Sequence, residues 1–148
     1  MVSRMTKPML EYRIEEEGPV FTELYLLEDR LHRDDGPAAV MHRTADGAVA
    51  FELWYRDGRL HRQDGPAAVY YNLDTGRVED MYYFHDGVLH RDDGGPESLG
   101  FDPDTGRLRD ATWWRNNEPQ ALTWTRWLWL TQARSGEGAR DATEGGKA

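Results

Sequence analysis

The chain of 148 residues contains no cysteine and no apolar run long enough to cross a membrane. The first absence excludes disulfide bonds and metal sites built on thiolates. The second excludes a transmembrane helix, which needs about 20 consecutive apolar residues. Residues 1–9 also lack the apolar run of a signal peptide. Together these absences predict a cytoplasmic protein of one domain.

Basic residues are scarce, with 18 Lys and Arg against 27 Asp and Glu, so the formal net charge is −9. Residues 1–10 contribute +2 and residues 133–148 contribute zero, which leaves −9 − 2 = −11 on residues 11–132. Nucleic acids and anionic membranes are bound mainly through Lys and Arg. We therefore expect no direct binding to nucleic acid or to membranes, and a protein partner with a basic surface.

What the chain does contain is a repeat of 29 residues. Residues 61–69, HRQDGPAAV, follow residues 32–40, HRDDGPAAV, at that interval. Residues 90–96, HRDDGGP, come 29 residues later and carry one extra glycine. Gly18, Gly47 and Gly76 keep the same interval, and Gly106 follows after 30 residues. A fixed period predicts one supersecondary unit per repeat.

Each unit has the pattern of two strands and two turns. Asp46-Gly47 and Asp57-Gly58 are hairpin-turn signals, and apolar residues recur at every second position between them. Strands joined by short turns pair antiparallel, so the sequence predicts an all-β fold, a single antiparallel meander of about eight strands. The predicted strands are residues 9–14, 20–27, 38–43, 48–56, 67–72, 77–84, 97–101 and 107–115.

The repeat pattern breaks after residue 115. Asn117, followed by Pro119 and Gln120, is typical of a helix N-terminus, and Arg134 with Gly136 is typical of a helix end. These signals predict a Trp-rich helix over 118–134 that caps the open end of the repeat stack, with a final edge strand as the alternative. The predicted segments are a flexible 1–7, a repeat domain 8–115, a capping segment 116–134 and a disordered tail 135–148.

One histidine and one aspartate recur in each loop of the repeat. Equivalent residues of neighbouring units are about 10 Å apart, because each unit contributes two strands at about 4.8 Å. A metal ion needs its ligand atoms about 2 Å away, so we expect no metal and no cofactor. We assign a structural role instead, in which the aspartate accepts backbone N–H groups and the histidine donates across the loop. The residues concerned are His32, His61, His90, Asp35, Asp64 and Asp93.

Arg33, Arg62 and Arg91 follow these histidines, and two interpretations stay open for them. Each arginine pairs with a nearby acid, as surface arginines commonly do. Alternatively, the three form an exposed ladder that holds a carboxylate or a phosphate.

The two faces of the predicted sheet differ in composition. One face carries Val49, Phe51, Leu53 and Tyr55 in the second unit, and we expect it to be the core face. The other face carries charged and small residues, with one aromatic ring per unit near a strand end. These rings either pack on the Pro-containing loops or form an aromatic stripe for a partner, since Trp and Tyr are frequent binding anchors. The candidate partner-binding residues are Tyr25, Trp54, Tyr83, Trp113, Arg62 and Arg91.

The spacing of Tyr55, Gly58 and His61 resembles the MORN repeat, in which an aromatic residue, a glycine and a histidine occupy these positions. The third unit repeats it with Phe84, Gly87 and His90, and the first unit follows it less closely with Leu26, Asp29 and His32. Where MORN repeats have glycine after histidine, this chain has arginine. This His-Arg-x-Asp-Gly-Pro form resembles a MORN-like variant of viral and phage repeat proteins. The resemblance covers about residues 8–115, and it implies a β-hairpin array used for binding or scaffolding.

The sequence shows no nucleophile–base pair, metal cluster or phosphate-binding loop, so we expect a protein that is not an enzyme. The expected function is a protein-binding repeat module. Its sharper form, based on the charge of −11 on residues 11–132 together with the resemblance, is a phage-encoded inhibitor that binds a basic surface of a bacterial defence protein in the host cytoplasm. The alternative is a structural or assembly protein that self-associates through sheet edges.

Overall fold

The computed structural model describes residues 8–133, in which fifteen strands and one helix occur. The elements are β1 (Glu11–Glu17), β2 (Val20–Leu27), β3 (Arg30–Leu31), β4 (Ala39–Arg43), β5 (Val49–Leu53), β6 (Tyr55–Arg56), β7 (Arg59–Leu60), β8 (Ala68–Tyr71), β9 (Val78–Tyr82), β10 (Phe84–His85), β11 (Val88–Leu89), β12 (Ser98–Phe101), β13 (Leu108–Thr112), β14 (Trp114–Arg115), β15 (Glu118–Pro119) and α1 (Trp124–Ala133).

Eight strands form one antiparallel meander in the order β1-β2-β4-β5-β8-β9-β12-β13, and β3 joins the same sheet by pairing with β2. These eight lie where the sequence predicts strands, so the all-β meander is confirmed. At one end of the sheet the chain turns at the regularly spaced glycines 18, 47, 76 and 106, whose φ angles lie between 61° and 73°. Glycine adopts this left-handed conformation without steric cost, which explains its fixed position in the repeat.

At the other end of the sheet the strands β5, β9 and β13 stop two or three residues earlier than predicted. Strand β5 ends at Leu53, and a separate two-stranded hairpin, β6–β7, follows after Trp54. The Trp54 N–H donates to the carbonyl of Ala67 at 2.7 Å, and its own carbonyl accepts from the His61 N–H at 3.0 Å. The backbone of Trp54 is therefore bonded to the following loop rather than to a neighbouring strand. The hairpins β10–β11 and β14–β15 follow β9 and β13 in the same way.

Leu26, Ala39 and Ala68 are buried on the predicted core face, but the main buried cluster of the core lies on the opposite face. This cluster consists of Val69, Met81, Leu99 and Phe101, and Val69, Met81 and Leu99 are aligned across three adjacent strands. Since Met81 is two residues before Tyr83, this cluster shares the face of the aromatic row. The predicted core face is only partly buried, and its Tyr70 is exposed. Alternation alone could not identify the covered face, because Trp129 of the C-terminal helix packs on this cluster.

The predicted C-terminal helix is confirmed in existence, but its predicted start is wrong. Asn116 and Asn117 have φ angles of 51° and 60° and form the turn of the last hairpin, in which β15 pairs with β14. The helix begins six residues later, where the Oγ1 of Thr123 accepts the Arg126 N–H at 3.4 Å as an N-cap does. The predictions for residues 1–7 and 135–148 lie outside the described residues. Between residues 8 and 133 there is no helix with the length and apolar character that crossing a membrane requires.

Candidate functional site

The three His-Arg loops stack into a continuous structure that we call the loop ladder, residues 32–38, 61–67 and 90–97. Each of the first two loops bonds to the hairpin of the next unit. The Arg33 N–H donates to the Tyr55 carbonyl at 3.0 Å, and the Gly58 N–H donates to the Leu31 carbonyl at 2.8 Å. The same two contacts join the second and third units, through Arg62 and Gly87. Neighbouring units are thus joined by backbone bonds at the ladder as well as in the sheet.

Each repeated arginine lies between an aromatic ring and a glycine. The guanidinium carbons of Arg33, Arg62 and Arg91 are 4.0, 3.8 and 4.1 Å from the ring centroids of Tyr25, Trp54 and Tyr83, respectively. On the far side, a Cβ added at Gly36, Gly65 or Gly95 would lie 2.8, 2.9 or 2.6 Å from the same carbons. The residue inserted in the third loop is therefore Gly94, with φ of 79°, which leaves Gly95 in the place of Gly65. This sandwich explains why arginine and glycine recur together.

The charge of each arginine is neutralised within its own loop. The Nη1 group of Arg62 donates to the Pro66 carbonyl at 3.3 Å, and its Nε lies 3.7 Å from Asp64. Arg33 and Arg91 make the same carbonyl bond, and they bond to their own aspartates more closely. Arg62 is only 6% exposed. Burial lowers its pKa, while Asp64 and Glu52 act in the opposite direction. This geometry matches pairing with a nearby acid rather than an exposed ladder of arginines.

The four aromatic rings selected as partner anchors lie within this framework. Tyr25, Trp54 and Tyr83 are half-buried beneath their arginines. Trp113 is buried, and its Nε1 donates to the Gly94 carbonyl at 3.0 Å. The structure therefore follows the alternative in which the rings pack on the loops. A sequence signal for this packing exists, because an arginine stands eight residues after Tyr25, Trp54 and Tyr83 alike.

The helix α1 takes the place of a fourth loop. Ala121 occupies the position eight residues after Trp113, so the loop arginine is missing there. The Arg126 guanidinium, from the helix, lies 5.6 Å from the Trp113 ring instead. Trp129 meets the same ring edge-on at 5.8 Å, and the Arg91 guanidinium lies 5.4 Å from the Trp129 ring. The helix thus covers the last aromatic ring of the row.

Two of the three repeated histidines join neighbouring units. The Nδ1 atom of His32 accepts the Asp57 N–H at 3.0 Å, and that of His61 accepts the Asp86 N–H at 3.1 Å. These two bonds differ from the predicted one, because they run between units and the histidine accepts, whereas the sequence predicted a bond that the histidine donates across its own loop. His90 differs, because it is half-exposed and its Nε2 lies 2.7 Å from Asp92.

The repeated aspartates were expected to accept backbone N–H groups in their turns, and Asp93 does so. It accepts the Gly95 N–H at 3.0 Å in addition to its bond with Arg91. Burial alone would raise the pKa of Asp93, but these two bonds outweigh it and the pKa is lowered. Asp35 and Asp64 instead face the arginines of their own loops.

The structure brings His61, His85 and Asp86 together, with one potential ligand atom of each within 4.8 Å of the others. Sequence reasoning missed this group because His85 occupies a position where the previous unit has Arg56. The Nε2 atoms of His61 and His85 are buried without a hydrogen-bond partner. The Nδ1 of His61, however, accepts the Asp86 N–H, so a neutral His61 carries its proton on Nε2 and has no lone pair there for a metal. The absence of a metal stays a prediction.

The aspartates of the ladder are exposed, while the arginines that Asp35, Asp64 and Asp93 contact are largely covered. The aspartate side chains form what we call the acidic ridge, made of Asp34, Asp35, Asp64, Asp92 and Asp93. Asp35, Asp64 and Asp93 are 86, 81 and 61% exposed, respectively. Asp34 and Asp92 are similarly exposed. The ridge recurs at every unit, at steps of about 10 Å, and its five aspartates outnumber the three loop arginines by two.

Replacing Gly65 with alanine is expected to lower the free energy of unfolding by about 1–3 kcal/mol, because the new methyl group displaces the buried Arg62 guanidinium. Urea unfolding measures this difference. In an Arg62→Ala background the same change is expected to cost little, since the obstructing side chain is gone. Equal costs in both backgrounds would contradict the sandwich.

A scan against protein-family models matches none of them, and searches of curated proteins and of solved structures return no match.

Proposed function

We propose that this protein is a non-enzymatic repeat module that binds another protein through the acidic ridge. The observation that carries the proposal is the sorting of charge in the loop ladder. The arginines lie inside against rings, glycines and proline carbonyls, while the aspartates remain exposed at every unit. A surface of this kind complements a partner with a basic surface.

The charge sorting also opposes a nucleic-acid or membrane partner. Both would require exposed Arg or Lys, and the guanidinium groups of the ladder are held in their own loops. A catalytic role has little support either. His32 and His61 bond to the neighbouring units, and Arg62 bonds to a carbonyl of its own loop. The ladder thus acts as a rigid scaffold for its outer charges.

In its sharper form, the proposal is that the protein is encoded by a phage and inhibits a bacterial defence protein by covering a basic surface. The net charge of −9 and the resemblance of the His-Arg-x-Asp-Gly-Pro loops to viral and phage repeats support this form. Inhibition would then follow from occupancy of the surface, and it would require no chemistry from this chain.

The test uses neutralising variants and a matched control. The full chain is immobilised, and captured bacterial proteins are identified and measured individually for affinity. The Asp34→Asn/Asp64→Asn/Asp92→Asn variant removes one ridge charge per unit. The Asp46→Asn/Asp74→Asn/Asp104→Asn control removes the same charge from turns at the opposite ends of the strands.

We expect the ridge variant to lose about tenfold in affinity for a basic partner, and the control to lose much less. Binding should also weaken with salt, because the Debye length falls from about 10 Å at 0.1 M to about 3 Å at 1 M. Equal losses in both variants, or binding that is insensitive to salt, would count against the ridge as the binding surface.

A further inference from the structure

The C-terminal helix and Leu122 just before it expose an apolar surface that we call the helix patch, made of Leu122, Trp124, Trp127 and Leu128. Trp124 is 70% exposed and Trp127 is 43% exposed, and their rings are stacked at 5.0 Å. Trp129 of the same helix packs inward on Trp113. Exposed tryptophans grouped in this way are typical of an interaction surface. The segment that follows, residues 134–148, has no apolar side chain larger than alanine with which to cover the patch.

A second exposed apolar group lies at the opposite end of the meander. Strand β1 pairs with β2 alone among the described strands, so its other edge has backbone groups available for a further strand. Tyr12 and Ile14 on this strand are 50 and 51% exposed. Residues 11–17 contain four Glu and one Arg, a net charge of −4 + 1 = −3.

The topology allows β13 of one copy to pair with β1 of another copy, so that the sheet continues from copy to copy. The eight strands of the meander alternate in direction, so β13 of one copy and β1 of the next are antiparallel when the sheet continues from copy to copy. Tyr12 is paired with Tyr25, the first ring of the aromatic row, and the two rings are 5.2 Å apart. In a continued sheet, Tyr12 of the next copy would lie beside Trp113, where α1 packs.

The charges of the two edges favour pairing of β1 with β13 of another copy over pairing of β1 with another β1. Residues 107–112 contain Arg107, Arg109 and Asp110, a net charge of +2 − 1 = +1, and the helix adds Arg126. Two β1 edges facing each other would bring −3 against −3, which is destabilising. The acidic β1 edge therefore fits the C-terminal end of a second copy better than it fits another β1.

We propose that copies of this chain associate end to end, with β1 of one copy extending the sheet at β13 of the next and its Tyr12 and Ile14 packing against the helix patch. The interface is heterologous, so it produces open chains of copies rather than closed dimers. It does not depend on the function proposed above.

The experiment measures mass by sedimentation velocity and light scattering, from micromolar to millimolar concentration. The helix variant is Trp124→Ser/Trp127→Ser, and the edge variant is Tyr12→Ser/Ile14→Ser. We expect the natural chain to grow beyond a dimer with concentration and each variant alone to stay at one chain's mass, 17.1 kDa for the natural sequence. A mixture of the two variants should form a dimer and nothing larger, because each variant keeps one intact end. The dimer also shows that both variants are folded.

The control is Tyr70→Ser, which changes an exposed ring on the other face and should associate as the natural chain does.

Three results would overturn the proposal. The first is a natural chain that stays at one chain's mass at every concentration. The second is an edge variant that still dimerises alone, which would indicate a symmetric helix-to-helix contact. The third is a mixture of the variants that forms no dimer.

Discussion

Replacing Trp54 with alanine is expected to lower the free energy of unfolding by about 3 kcal/mol, the lower end for a large aromatic residue, since the ring is only half-buried. The loss removes the surface on which the Arg62 guanidinium lies 3.8 Å from the ring centroid. Urea unfolding of the full chain measures it. A ring exposed for a partner, the alternative that the sequence left open for Trp54, would instead lose binding with little loss of stability.

The matched control is Trp124→Ala, which removes the same side chain from a position that is 70% exposed. Surface substitutions usually change stability by no more than about 0.5 kcal/mol, and we expect this variant to do the same. If the two variants unfold at the same urea concentration, Trp54 contributes no more to the fold than a surface tryptophan.

Replacing Arg62 with alanine is expected to cost about 3 kcal/mol as well. A desolvated cation–π contact contributes about 2 kcal/mol, and a hydrogen bond from a charged donor about 1.5–3 kcal/mol, although the two are not independent. The variant loses the contact with Trp54 and the bond to the Pro66 carbonyl. Arg62→Lys should be destabilised almost as much as Arg62→Ala, because a compact ammonium group does not fill the space between a ring and a glycine as a planar guanidinium does. Thermal and urea unfolding of both variants provide the measurement.

The control for this prediction is Arg56→Ala, an exposed arginine of the same unit, expected to change stability by about 0.5 kcal/mol or less. A loss at Arg62 no larger than at Arg56 would mean that the buried guanidinium is not needed to hold the loop.

The sheet could be predicted from the sequence because its signals are local. Alternation, the Asp-Gly turns and the 29-residue interval each depend on neighbouring residues, and they placed all eight long strands of the meander. The early ends of β5, β9 and β13 could not be predicted in this way. Trp54 leaves the sheet because His61 and Ala67, 7 and 13 residues further along the chain, bond to its backbone, and alternation does not report such loop contacts.

The candidate site was harder to predict than the sheet, because its geometry is set by packing between the loop and the ring. Alternation correctly placed Tyr25, Trp54, Tyr83 and Trp113 on one face, but it could not show that the loops fold back over them. The constant interval of eight residues from ring to arginine was the available signal. The helix start was misplaced because Asn116 and Asn117 also tolerate the left-handed turn that they form here.

The sequence alone also could not show that the aspartates of the loops, rather than the arginines, are the exposed charges. Asp64 and Arg62 are two residues apart, and either could have been the exposed member of the pair. Their roles are decided by shape, since the planar guanidinium fits between Trp54 and Gly65 and leaves the carboxylate outside. Burial of one charge thus determines which charge a partner meets.

The central claim is that the arginine–ring stack holds each loop on the sheet, and a double-mutant cycle on Trp54 and Arg62 tests it most directly. Urea unfolding of the natural chain, Trp54→Ala, Arg62→Ala and the double variant gives the coupling free energy between the two side chains. The stack predicts a favourable coupling of about 1–2 kcal/mol, so that the double variant is less destabilised than the sum of the single ones. Additive losses, with a coupling near zero, would contradict it.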